Sequence, residues 1–313
     1  RSGVTTPAGV VLDTRAFDAH VARCGLNGEV AALIADLART TPEALETRSA
    51  ALRAALQREP LDATLAAALH AQFESLRPGV RLAVRSSAVG EDAQEASFAG
   101  QFDSVLDVAS PAALQDAVRQ VWASSYGVRA LRYGQHRKLR PASMAVIVQD
   151  QVDAACSGVL FTRDPLRPQG THLLTEYCAG LGDRVVSGAV TPARARIARD
   201  SLAIEVEHAG DDGLELDSRA QAALAELARH ALALERRLGQ ALDIEWSVAR
   251  DGALLLLQCR PMTAVAMVAP KELWSNANIA ENFPAPVVPF LGSFVARGYT
   301  AYFRGLGRAF GIS

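Results

Sequence analysis

The stretch 243–261, DIEWSVARDGALLLLQCRP, decides how this chain is read. Asp251-Gly252 is a strong two-residue turn signal, flanked by alternating and apolar residues, so the segment predicts a β-hairpin. A two-residue loop places Glu245 opposite Gln258 and Asp243 opposite Arg260. Successive side chains point to opposite faces of a strand, so these four share one face. The other face carries Ile244, Trp246, Val248, Leu255, Leu257 and Cys259, an apolar set suited to a core. Two carboxylates one strand repeat apart, roughly 7 Å, repel unless positive charge sits between them. Mg2+ completed by phosphate oxygens is one solution, and Arg260 offers a fork of donors suited to phosphate. An exposed hairpin with a cross-strand Asp–Arg pair fits these residues equally well.

Composition narrows the surroundings. At 313 residues and 50% hydrophobic, the chain can bury a sizeable core and divides into two or more compact units. A net charge of −2 and a pI near 6.4 argue against a general nucleic-acid or membrane-surface binder. No apolar run approaches the roughly eighteen residues needed to cross a bilayer. There is no signal-peptide pattern, and Arg1 reads as the start of a fragment of a longer chain. Cys24, Cys156, Cys178 and Cys259 are scattered without zinc or C-x-x-C spacing, so reduced thiols and a cytoplasmic location are expected. Lys138 and Lys271 are the two lysines, which leaves phosphate contacts to arginine.

Along the chain, Val10–Leu12 predicts a strand, and Asp13 or Thr14 caps a helix running towards Gly25. Thr41-Pro42 opens another helix with proline at its first position, and residues 61–76 continue helically. Val80–Arg85 is a short strand, followed by a polar loop to Gly100. Ser110-Pro111 starts a long helix reaching about Lys138, with Leu114, Val118, Val121, Trp122 and Leu131 at helical spacing. Strands follow at Ala145–Gln149, Ser157–Phe161, His172–Tyr177 and near 193–207. A helix from Asp217 or Ser218 to Leu238 ends at Gly239 and leads into the hairpin. The order predicts an α+β fold with a helix-rich first half, a strand-rich second half with a mixed sheet, and a ligand cleft between them. After Met262 a linker stiffened by Pro284, Pro286 and Pro289 begins.

Two loops carry weaker signals. Val84-Arg85-Ser86-Ser87-Ala88 puts an arginine at a strand end, and Ala96–Gln101 offers a small-residue turn whose amides can face phosphates. An ordinary polar loop anchored by Phe98 explains the same residues. Gly180-Leu181-Gly182-Asp183 is equally compatible with a simple turn.

Residues 81–107, RLAVRSSAVGEDAQEASFAGQFDSVLD, resemble the signature of the ATP-binding domain shared by phosphoenolpyruvate synthase, pyruvate phosphate dikinase and rifampin phosphotransferase. SGVLFTRDP at 157–165 and GLGDRVVSGAVTP at 180–192 are similar to later motifs of that domain, in the same order. DIEW at 243–246 and QCRP at 258–261 match its closing hairpin, and GVTTPAGVVLDTRAF at 3–17 resembles its opening. The resemblance covers about 260 residues and implies an ATP-grasp fold, two α+β halves clamping a nucleotide. It divides the chain into an N-terminal subdomain (1–142), a C-terminal subdomain (143–266), and a linker with the start of a following domain (267–313). It implies ATP and Mg2+ as ligands. Arg85 contacts phosphates, and the Ser97–Gln101 loop, with Gly100, closes over the triphosphate. Asp243, Glu245 and Gln258 hold the metal or meet the nucleotide, and Arg260 lies beside the transferring phosphates. Adenine lies near Gln149, and Asp183 joins the nucleotide-binding set; Arg85 and Arg260 are the catalytic pair.

Departures from the family pattern are local. Gln149-Asp150-Gln151-Val152 stands where a Gln-Arg-Met-Val-like run is common, and Ala193 follows Pro192 where an acidic residue is usual. The family's phosphate-binding lysine lies upstream of the first residue. None of His20, His70, His136, His172, His208 or His230 sits in the motif of the family's phosphorylated histidine, which belongs to a separate swivelling domain. The expected function is that of the nucleotide-binding part of a dikinase-type phosphotransferase. Its partners are the swivelling phosphohistidine domain and an acceptor domain of the same protein. A biosynthetic ATP-dependent ligase and a non-catalytic nucleotide-binding module remain the alternatives, and the acceptor is not legible.

Overall fold

The computed structural model describes residues 4–75, 79–88, 92–93, 96–97, 102–136, 143–165, 167, 169–186, 188–214 and 216–262. Gly100, Gln101 and the expected linker at 267–313 lie outside the described residues, and Ser97 is described by its backbone alone.

In chain order the elements are β1 (Gly9–Leu12), α1 (Thr14–Arg23), α2 (Asn27–Asp36), α3 (Pro42–Arg58), α4 (Ala63–Glu74) and β2 (Leu82–Ala88). Then come β3 (Asp92–Ala93), β4 (Ala96–Ser97), β5 (Ser104–Val108), α5 (Pro111–Ser124), α6 (Val128–His136) and β6 (Met144–Asp150). The remainder is β7 (Ala154–Phe161), β8 (His172–Ala179), α7 (Asp183–Val186), β9 (Ala193–Ala198), β10 (Ile204–His208), α8 (Ser218–Leu238), β11 (Leu242–Ala249) and β12 (Leu254–Pro261). The fold is α+β, with a four-stranded antiparallel sheet ordered β1-β6-β2-β5 and a six-stranded antiparallel sheet ordered β10-β9-β8-β7-β11-β12. Among the described residues no helix is long and apolar enough to cross a membrane.

Local chemistry explains the helix ends. Asp13 accepts from the Arg15 N–H, Thr41 from the Ala44 N–H and Asp217 from the Ala220 N–H, each satisfying an otherwise orphaned donor. Gly239 closes α8 in the left-handed region at φ 70°, a conformation that costs glycine little. Three readings of the sequence need correction. The sheet of the second half, expected to be mixed, is antiparallel in every pair, because its neighbouring strands run in opposite directions without a parallel crossover. The single helix expected from Ser110 to Lys138 is two helices, α5 and α6, separated at Ser125–Gly127, although Leu114, Val118, Val121, Trp122 and Leu131 are all buried as expected. Helix α2 was not foreseen, because Gly28 and a run of small residues blur its pattern.

Each sheet has its own core. Leu12, Val84, Val146 and Val148 pack against Phe17, Leu52, Leu114 and Trp122 of the helical layer. In the second sheet Leu160, Tyr177, Ile197, Ile244 and Trp246 pack on Leu224, Leu227 and Ala231 of α8. Trp246 donates its indole N–H to the Thr175 hydroxyl at 3.2 Å, so this fully buried ring leaves no stranded donor. β6 begins just beyond the expected boundary at 142/143 and pairs with β1 and β2, so the first sheet takes a strand from the far side of that boundary.

Candidate functional site

The hairpin exists, but its loop is longer than the Asp251-Gly252 signal suggests. The Gly252 N–H donates to the Ala249 carbonyl at 2.8 Å, and the Ala249 N–H donates to the Ala253 carbonyl at 2.9 Å, enclosing Arg250-Asp251-Gly252. Gly252 has φ 91°, as expected where a three-residue loop closes through a left-handed position. That loop alone would slip the register and place Glu245 opposite Leu257. A second irregularity, between Glu245 and Trp246, absorbs one extra residue of β12 at Leu257. The two shifts cancel beyond the bulge, and Glu245 faces Gln258 while Asp243 faces Arg260, as expected.

Between loop and bulge the shift remains, and it corrects the expected apolar face. Leu256 lies opposite Trp246 and is buried, whereas Leu255 and Leu257 are half-buried and Cys259 is exposed on the edge strand. Ile244, Trp246 and Val248 are buried as expected.

Strand pairing extends the polar face across the second sheet. The row through Glu245 runs Gln258, Glu245, Val159, Glu176, Arg194, and the row through Asp243 runs Arg260, Asp243, Phe161, Leu174, Arg196. Arg260 donates from Nε to Asp243 Oδ2 at 2.8 Å, and its Nη2 lies 2.7 Å from the same oxygen in an ion pair. Arg194 donates from Nε to Glu176 Oε1 at 3.1 Å. Half-buried Val159 and Phe161 stand in these rows between β11 and β8. Glu176 and Arg194 were not anticipated, although the strict alternation Ala193-Arg194-Ala195-Arg196-Ile197 carried the signal that both arginines face one way.

Arg85 joins the site from the other sheet. It stands on β2 opposite Ile147 of β6, two residues from Gln149, so both share the first sheet's outer face, away from its helical core. Its Nη2 donates to Glu245 Oε2, an ion pair whose side chains are 20% and 15% exposed. The structure therefore gathers Arg85, Asp243, Glu245, Gln258 and Arg260, with Gln149 on the same side of the first sheet. Asp183 stands apart. It is exposed at the start of α7, after a turn in which Gly180 has φ 74° and Gly182 approaches Ser157 so closely that an added Cβ would lie 3.3 Å from the Ser157 Cβ. Among the described residues Asp183 makes no hydrogen bond or ion pair with the other site residues.

Oxygen donors on one face, two carboxylates and the Gln258 amide, are the kind a hard divalent cation takes, so this donor set fits Mg2+. Among the described residues no group of three or more histidine, cysteine or acidic side chains gathers for a metal. The two carboxylates of this face are instead each paired with a guanidinium, Asp243 with Arg260 and Glu245 with Arg85.

Arg163, within the 157–165 motif, serves the fold. It and Arg199 donate to buried Glu235 of α8 at 3.1 and 2.9 Å, tying the ends of β7 and β9 to the helix.

The family model for the pyruvate phosphate dikinase AMP/ATP-binding domain matches residues 1–277. The chain belongs to this family. The dikinase-type domain is 29% identical to phosphoenolpyruvate synthase of Aeropyrum pernix, over 84% of this chain and 39% of that protein. It is 32% identical to rifampicin phosphotransferase of Streptomyces sviceus, over 84% of this chain and 32% of that protein. The domain thus spans well under half the length of these curated relatives. Among solved structures D-cycloserine synthetase DcsG aligns at 15% identity and TM-score 0.27, over 64% of this chain and 54% of its own, a likeness too slight to bear on the fold.

Proposed function

We propose that this dikinase-type domain has the ATP-grasp fold and binds Mg-ATP between the outer faces of its two sheets. In the protein to which it belongs, phosphate would pass to a histidine on a separate swivelling domain and on to an acceptor. Membership of the AMP/ATP-binding family and the meeting of Arg85 with the Asp243–Arg260 hairpin face are what support this reading. We divide the domain near residue 151, after β6, rather than at 142/143, because β6 hydrogen-bonds into the first sheet. The following segment, 267–313, would belong to a linker and a further domain. Four cysteines present as thiols accord with a cytoplasmic location.

The residues divide the work by chemistry. Arg85 and Arg260 present planar donor forks to phosphate oxygens. Asp243, Glu245 and the Gln258 amide oxygen hold the metal, which when bound neutralises polyphosphate charge. Gln149 sits at the adenine end, and the segment Ser97, Gly100 and Gln101 closes over the phosphates. Asp183, at the start of α7, would join the nucleotide contacts from the turn in which Gly182 lies against Ser157. Such a site works by positioning and by donors already aimed where charge develops.

Arg260 decides the test. In the full-length protein Arg260→Ala should lower phosphohistidine formation by about 10²-fold or more, in line with the loss of a preorganised donor, while ATP affinity falls far less. Equal rates in the two proteins would remove the assignment.

A further inference from the structure

Both candidate metal-holding carboxylates already face a cation of the chain itself. Arg260 contacts Asp243 at 2.7 Å with side chains 16% and 13% exposed, and Arg85 contacts Glu245 from the opposite sheet. Within these two pairs each carboxylate charge is matched by a guanidinium. A divalent cation arriving alone would have to displace a guanidinium from a partly desolvated partner, where the attraction is stronger than in bulk water.

Polyphosphate changes that balance. An arginine fork fits phosphate and carboxylate equally well, so moving from one anion to the other conserves its hydrogen bonds. We propose that Arg85 and Arg260 are exchangeable counter-ions. Without nucleotide they neutralise Glu245 and Asp243, and on its arrival they pass to the phosphates and release both carboxylates to the divalent cation. Metal and nucleotide then bind only together, and the bond between the two sheets is remade through the ligand. This inference rests on the reading of the site as a nucleotide site. It differs from a purely structural role for the two pairs, in which the arginines would stay on their carboxylates throughout.

Linkage makes the exchange measurable, because each ligand must strengthen the other by the same factor. The probe is Mn2+, followed by water-proton relaxation on the purified chain, with no phosphoryl transfer involved. Wild type should bind Mn2+ at least tenfold more tightly with AMP-PNP or inorganic tripolyphosphate present than without, after correction for Mn2+ held by the polyphosphate itself. Arg260→Gln should bind Mn2+ alone at least tenfold more tightly than wild type, because Asp243 has lost its resident cation. Adding Asp243→Asn to that variant should abolish the gain. Arg85→Gln, which frees Glu245, is the second variant should the first fail to fold by circular dichroism. The proposal is overturned if wild type binds Mn2+ equally well with and without polyphosphate, or if a folded arginine variant binds it no more tightly. Failure of the nucleotide reading looks different: calorimetry then shows no AMP-PNP binding to wild type, while the variants still report on metal access to the carboxylates.

Discussion

Arg85 of β2 and Glu245 of β11, 160 positions apart in the chain, form an ion pair that links the two sheets. Both side chains are largely withdrawn from water, so the pair lies between the weak surface limit and the strongly coupled buried one. Arg85→Gln should therefore cost about 1–3 kcal/mol in urea unfolding. Adding Glu245→Gln should recover much of that loss, since the stranded carboxylate carries most of the penalty. A double-mutant cycle with no coupling would show that the two groups act independently.

Glu235 gives a pH signature. Burial tends to raise its carboxyl, but hydrogen bonds from Arg199 and Thr162, with the charge of Arg163, outweigh this and hold it below its ordinary 4.5. A lowered folded value means the unfolded chain takes up the proton first. The stabilisation is complete above the ordinary value and is lost as pH falls below it through the folded value. Glu235→Gln should be less stable at neutral pH and show a shallower acid decline; parallel acid limbs for the two proteins would contradict the assignment.

His20 acts with the same sign in a higher window. It is 3% exposed, its Nε2 lies 2.9 Å from the Leu56 carbonyl, and burial pushes it below its ordinary 6.5. The unfolded chain is protonated below that value while the fold resists, so stability should decline as pH drops through 6.5 and below. In His20→Leu that part of the decline should vanish, even though the variant is less stable at neutral pH. Chemical denaturation at successive pH values separates the two effects.

Gly158 is a packing constraint. On β7 it lies between Trp246 and Tyr177, and an added Cβ would sit 2.1 Å from the Glu176 carbonyl oxygen and 2.8 Å from the Tyr177 Cα. Backbone has to move to admit even one methyl group. Gly158→Ala should cost about 1–3 kcal/mol or more, seen as a drop of roughly 2–4 °C in Tm per kcal/mol. An unchanged Tm would mean that β8 yields easily.

Much of the hairpin was legible because its period-2 pattern is local. Glu245 opposite Gln258 and Asp243 opposite Arg260 follow from the sequence only because two irregularities cancel: the longer loop at Gly252 and the bulge at Leu257. Where they do not cancel, Leu256 replaces Leu255 in the core. Turn type depends on how both strands twist against β7 and α8, which Asp-Gly alone does not encode. Helix α2 escaped notice because small residues flatten its amphipathic contrast. Arg194 was missed although its alternation was visible, since alternation shows that residues share a face and not what that face meets.

The sequence by itself determined the mixed α+β character, the capped helices, the family motifs and the side of the hairpin on which acid, amide and guanidinium stand, because each depends on neighbours a few residues away. Only the tertiary structure decided that Arg85 reaches Glu245 rather than solvent and that Arg163 and Arg199 together support Glu235 rather than the site. Those pairings join residues tens to more than a hundred positions apart, and their partners are chosen by how β2, β7 and α8 pack around two separate cores.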